Sequence, residues 1–290
     1  MKRCAASLLE LLIVIAILGV LGGLTLSAIQ LSRSRMSQIA CASQLRQIGL
    51  AAQNHHAIHG QFPIGLTDDA ASHPRMTWLA QLLPEMGQSA AWEQALAAHR
   101  INSEAIFDPP HRLNQTPMTP YVCPSDRRGL TRQPSHGRWV ALTSYVGVYG
   151  INVDQPTGML VFSEAIQVAD VRDGLSNTLF VGERPASADC WYGWWYTGYG
   201  QKGRGNADMM LGVQEINTGT RFARHCPRGP YGFGPGRFEQ QCDLFHFWSP
   251  HTGGANFAIA DGSVRFLRYS ADAIMPALAT RAGDETAEIP

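Results

Sequence analysis

His55 and His59 stand at i and i+4, a spacing that lets two imidazoles on one helix face share a metal ion. His56 rather than a glutamate follows His55, so the zinc-protease pattern is absent and capping or packing is the favoured role. A second group of donors lies in Asp170-Val-Arg-Asp173-Gly174-Leu-Ser176-Asn177-Thr178, where oxygen ligands gather around a glycine. Calcium takes about 6 to 8 oxygens, but the spacing is not that of an EF-hand. Asp170, Asp173 and Asn177 are therefore weak calcium candidates, and a turn in which Asp and Asn bond nearby backbone is favoured. Further on, His251 and Asp261 bracket a short apolar run, and Gly253 and Gly254 let backbone pass closely there. With Gly262 these residues mark a ligand-binding or structural region. The last candidate is Glu10, a carboxylate with leucines at 8, 9, 11 and 12. Burying it costs roughly 2.5 to 3.5 kcal/mol on insertion scales, so a partner cation is expected, such as the terminal amine of a neighbouring subunit.

Other chemistry finds no support. There is no G-x-S-x-G elbow, P-loop or dinucleotide fingerprint, so the chain reads as a non-enzyme with no cofactor. Lys plus Arg and Asp plus Glu both total 23, and the resulting net charge of zero argues against nucleic acid as a partner. Six cysteines, Cys4, Cys41, Cys123, Cys190, Cys226 and Cys242, contain no C-x-x-C pair and point to disulfides, with the pairing open. The segment 190–199 concentrates three tryptophans and three tyrosines, which pack an insertion or, exposed, stack on sugar rings or a protein.

These residues need elements to hold them. Residues 11–32 carry no charge and are mostly Leu, Ile, Val, Gly and Ala, long enough for a span of the ~30 Å hydrocarbon layer. Past Arg33 and Arg35, the positions Cys41, Leu45, Ile48 and Ala52 form one apolar stripe, so the same helix continues in amphipathic form. Gly60 and Pro63 stop it, giving a helix over about 6–58. Beyond it, residues 143–149, 158–162 and 179–183 read as strands. Residues 256–267 read as a hairpin turning at Asp261-Gly262. A helix over 76–96 is broken or kinked by Pro84. The fold class is α+β: a long N-terminal helix, membrane-spanning in its first half, packed on a small antiparallel sheet with a large loop-rich insertion. The division expected is a leader over 1–5, a transmembrane helix over 6–32, an amphipathic continuation over 33–60, a globular domain over 61–270 and a tail with a short helix over 271–290.

Lys2 and Arg3, then a glutamate, then an apolar helix resemble the type IV prepilin class. Counting back from Glu10 as the fifth mature residue implies cleavage between Ala5 and Ala6, where that class has Gly and Phe. The later blocks resemble prepilin-type proteins with a PulG-like putative transporter domain, a large bacterial family of unknown function. They are Cys41-x-x-Gln-Leu-Arg-Gln-Ile-Gly-Leu50, Tyr121-Val-Cys123-Pro-Ser-Asp126, Ser144-Tyr145-Val-Gly147, Asp173-Gly-Leu-Ser-Asn-Thr178, Gly182-Glu183-Arg184 and His251-Thr-Gly253-Gly254-Ala-Asn-Phe with Asp261-Gly-Ser-Val-Arg265-Phe266. The resemblance implies a single-pass inner-membrane protein with its N-terminus cytoplasmic and its globular domain extracytoplasmic. It further implies processing and methylation by a prepilin peptidase, and self-association or assembly with other pseudopilins in a type II secretion-like or pilus-like system. The alternative is a tethered binding protein with a glycan or protein ligand.

Overall fold

The computed structural model describes residues 8–284; within the first helix the side chains of residues 9, 10, 24, 26–28 and 31 are also left undescribed. Ala5 and Ala6, and the side chain of Glu10, lie outside the described residues. The chain divides into two compact units between Ile39 and Ala40. Helix α1, Leu8–His59, contributes to both.

In the first unit the described large apolar side chains of α1 are left open. Leu11, Leu12, Ile13, Val14, Ile15, Ile17, Leu18, Val20 and Leu21 are each between 51% and 64% exposed. At 100° per residue such a run leaves no polar face. Among the described residues, however, no helix is long and apolar enough to cross a membrane. The expectation of a membrane-spanning first half over 6–32 is corrected accordingly. With it goes the single-pass inner-membrane placement, N-terminus cytoplasmic and domain extracytoplasmic.

In the second unit the stripe read from the sequence is the buried face of α1: Cys41, Leu45, Ile48 and Ala52 are all at most 1% exposed. Gly60 ends the helix in the left-handed region, φ +75°, its N–H bonded to the His56 carbonyl. Pro84 separates α2, Trp78–Gln81, from α3, Ser89–Ile101, because its ring cannot continue the first helix. Thr77 caps α2 by accepting from the Ala80 N–H.

The strands are β1, Gln133–Ser135; β2, Arg138–Val140; β3, Tyr145–Gly150; β4, Leu179–Glu183; β5, Met210–Gly212; β6, Gly254–Ile259; and β7, Val264–Arg268. The first two form a separate ribbon, and the other five form a sheet in the order β5-β3-β4-β6-β7. Its inner pairs are antiparallel, but β5 runs parallel to β3, so the sheet is mixed where an antiparallel one was expected. Antiparallel β4 returns the chain to the starting end of β3, so the loop-rich stretch between β4 and β5 need only pass β3 to lay β5 beside it in parallel. Residues 158–162 form bridges at Val161 and Phe162 instead of a strand. A closing helix α4, Met275–Ala279, belongs to this same unit.

Every residue of β3 and β4 is buried, so both sheet faces are covered. Tyr145, Tyr149, Phe180 and the α1 stripe pack on one face with Trp78 and Trp195. Val146, Val148, Leu179 and Phe257 pack on the other with Phe245, Phe247, Met275 and Leu278. The β6–β7 hairpin turns at Asp261-Gly262 as the sequence predicts, and Gly262 (φ +85°) lies against Gly49 of α1.

Candidate functional site

Two clusters of chemically capable side chains are built on α1 within the second unit. The first brings Cys41, Cys123, Glu183 and His251 together, all buried. Cys41 sits on the packed stripe of α1, Cys123 follows a short turn, Glu183 ends β4 and His251 precedes β6. Cys41 and Cys123 form a disulfide. His251 Nε2 lies 3.2 Å from Glu183 Oε1 and 3.6 Å from Cys123 Sγ. Glu183 Oε2 accepts from the Asn256 backbone N–H at 2.6 Å and from its side-chain amide at 3.1 Å. Four donors of this kind suit a tetrahedral zinc ion, but the disulfide uses both sulfurs and leaves no thiolate to coordinate or attack. The arrangement therefore ties α1 covalently to the loop at Cys123, which in turn lies against His251 and Glu183 beside β6 and β4. Blocks that the sequence spreads over more than two hundred positions meet at this point.

The second cluster is open. His55 Nδ1 stands 3.4 Å and His59 Nε2 3.8 Å from Glu85 Oε1, just past Pro84. Glu85 Oε2 and His55 Nδ1 are buried with no hydrogen-bond partner. Burial lowers the His55 pKa, against the pull of the Glu85 carboxylate. The cluster borders a cavity of about 550 Å³ that also reaches Ile58, His73, Met76 and Trp92. Behind it, His99 is buried with both ring nitrogens unpartnered, and desolvation pushes its pKa down to about 4, helped by His111 and His73.

The remaining candidates separate. His251 and Asp261 sit at either end of β6, six residues long, on the order of 20 Å at 3.3 Å per residue. His251 faces the sealed cluster, while Asp261 is exposed and accepts from the Ser263 N–H at 2.8 Å. Gly253 takes φ +85°, and a Cβ on Gly254 would meet the Leu267 carbonyl at 2.0 Å, so both glycines serve the approach of β6 to β7. Asp170 accepts from the Gln167 N–H at 2.8 Å as a helix cap. Asp173 accepts from the Gly283 and Asp284 N–H groups at 2.7 and 2.9 Å, and Asn177 donates to the Asp173 carbonyl at 3.2 Å. Backbone donors thus occupy both Asp173 carboxylate oxygens and one of Asp170, and tie this loop to Gly283 and Asp284.

The aromatic segment is mostly wall. Trp194, Trp195 and Tyr196 are at most 4% exposed, with the Trp195 indole donating to the Thr116 carbonyl at 2.9 Å. Trp191 and Tyr199 border a cavity of about 650 Å³ together with Arg138, Lys202, Arg221 and Glu104. Asp208, fully buried, accepts from the Gly193 N–H at 2.8 Å and from the Trp194 N–H at 3.3 Å. Desolvation still raises its pKa to about 6. Cysteines 226 and 242 form the second disulfide, leaving Cys190 as a buried free thiol among the described residues. Its pKa is raised by the same desolvation.

Sequence reasoning singled out His55 and His59 but missed Glu85, which sits 26 positions on from His59 with no local pattern of its own. Glu183 was visible only as part of Gly182-Glu183-Arg184, without its partner.

Fold and clusters together define an α+β protein in which one long helix packs on a mixed five-stranded sheet and is disulfide-linked to the loop that precedes β1. The chain belongs to the family described as "Protein of unknown function (DUF1559)", matched over residues 34–273. No curated protein and no solved structure matches it.

Proposed function

We propose that the chain is a non-enzymatic, pseudopilin-like assembly subunit in which the first part of α1 packs against the same part of other copies. One observation carries this reading: in the part of the first unit that is described, the large apolar side chains of α1 stand exposed. Burying such side chains is worth about 1.5 to 3 kcal/mol each, so a chain alone in water leaves a large driving force unused. A helix apolar on all sides is satisfied by neighbours on all sides, as in the centre of a helical bundle. A net charge of zero leaves no overall repulsion between copies. Cleavage between Ala5 and Ala6 by a prepilin peptidase, followed by pairing of the new amine with Glu10 of the next subunit, completes the reading. Sedimentation of the full chain beside a chain starting at Ala40 tests it. Concentration-dependent oligomers of the first and a monomeric second are expected; a full chain that stays monomeric at micromolar concentration sinks the proposal. Intact mass tests the processing step, for which loss of residues 1–5 is expected.

A second reading, a binding protein, is favoured by the cavity at the aromatic insertion. Arg138, Lys202 and Arg221 outnumber Glu104 and the buried Asp208 there, and Trp191 and Tyr199 offer ring surface, a combination suited to an acidic glycan. A glycan array with wild type and Arg221→Ala decides it; equal signals from the two leave this reading without support.

A further inference from the structure

We propose that His55, His59 and Glu85 form a binding site for a divalent transition cation of the zinc class, open on one side to the 550 Å³ cavity. The donor set is two imidazole nitrogens and one carboxylate, the mixture that zinc-class ions take in sites that keep a further position free. The i and i+4 spacing on α1 turns both rings to one side, and their centroids stand 4.3 Å apart. Glu85 comes from the turn after Pro84, and all three donor atoms lie within 4.8 Å of one another.

The distances favour an ion between the groups over a direct bond. Charge-assisted N–H···O bonds run at about 2.7 to 2.9 Å. Here the nitrogens stand 3.4 and 3.8 Å from Glu85 Oε1. Bonds of about 2.0 to 2.1 Å to one tetrahedral ion place donors roughly 3.3 Å apart, close to what is observed. Glu85 supplies the independent sign of a missing partner. Its side chain is 5% exposed, yet Oε2 has no hydrogen bond, nor has His55 Nδ1. A buried carboxylate oxygen without a partner costs on the order of 1 to 3 kcal/mol or more, which a cation held by both oxygens of the Glu85 carboxylate would remove. The other two donor groups in the second unit each contain a disulfide and so cannot offer thiolates. The site lies wholly within residues 40–290 and does not depend on the assembly reading.

The full chain, oxidised and freed of metal with a chelator, is titrated with zinc against a chromophoric chelator and with cobalt for its visible absorption. One zinc per chain and a cobalt band of low-symmetry N/O ligation are expected. Glu85→Gln and His59→Ala weaken zinc by at least about 100-fold, a loss on the scale seen when even supporting residues of metal sites are removed. His59 is half-exposed, so its variant keeps the fold should Glu85→Gln disturb it, and thermal melting checks both. His225→Ala, in one of the disulfide-blocked groups, leaves zinc binding unchanged. Absence of stoichiometric binding, or binding equal to wild type in both Glu85→Gln and His59→Ala, overturns the site. Calcium displacing zinc at comparable concentration overturns the assignment of cation class.

Discussion

Fourteen positions of one helix, about 21 Å along its axis, separate Cys41 in a sealed cluster from His55 in an open one. The sealed cluster closes its chemistry internally: two sulfurs are spent on each other, and a histidine and a glutamate face one another at the sheet centre. The open cluster holds similar donors with their bonding capacity unspent, at the rim of a cavity. What differs is the surroundings. Where α1 lies against the sheet, strands and loops fill every direction around Cys41. Toward its end at His59 the helix meets the turn at Pro84 and Glu85 beside an open cavity. The same residue types thus serve cohesion in one place and binding in the other.

Breaking the sealed cluster should cost stability, and the largest loss is expected from the covalent link. Cys41→Ala with Cys123→Ala opens a loop of 82 residues, for which chain entropy gives about 4 to 5 kcal/mol, against about 3 for the 16-residue loop of Cys226 and Cys242. Denaturant titration of the two double variants gives the order; an equal or smaller loss at Cys41 and Cys123 breaks the comparison. Glu183→Gln removes the charge facing His251 in a fully buried pair and should cost about 3 kcal/mol by the same measurement.

A third effect sits beside the open cluster and is read through pH. The folded His99 pKa of about 4 lies below the ordinary 6.5, so the folded state binds fewer protons than the unfolded one between those values. Stability from this site is therefore full above about pH 6.5 and lost as pH falls toward 4, by roughly 3 kcal/mol. His99→Leu should flatten that part of the profile; an unchanged slope between pH 6.5 and 4 removes His99 as its source. The smallest effect is at Glu85. Because its carboxylate is under-bonded, Glu85→Gln should move stability by no more than about 1 kcal/mol in the absence of metal. A loss comparable to that of Glu183→Gln erases the distinction between the two clusters.

Several features were determined by the sequence alone because their causes are local. The period of Cys41, Leu45, Ile48 and Ala52 marks the packed face of α1, since 3.6 residues per turn leaves one side for the core. Asp261-Gly262 fixes the hairpin, because glycine takes the positive φ that the turn requires. Pro84 ends a helix through its own ring. The N-terminal run was legible as apolar, whereas its expected span of a membrane was not upheld.

Only the tertiary structure decided which groups meet. Cys41 finds Cys123 across 82 positions, and Glu183 finds His251 across 68. Glu85 completes the pair His55 and His59, and β5 joins β3 in parallel. The Glu183–His251 contact and the β5–β3 pairing depend on sheet order and strand register, and the other two on how α1 packs against distant loops, which no local spacing encodes. A one-residue slip would turn the same side chains to the opposite face.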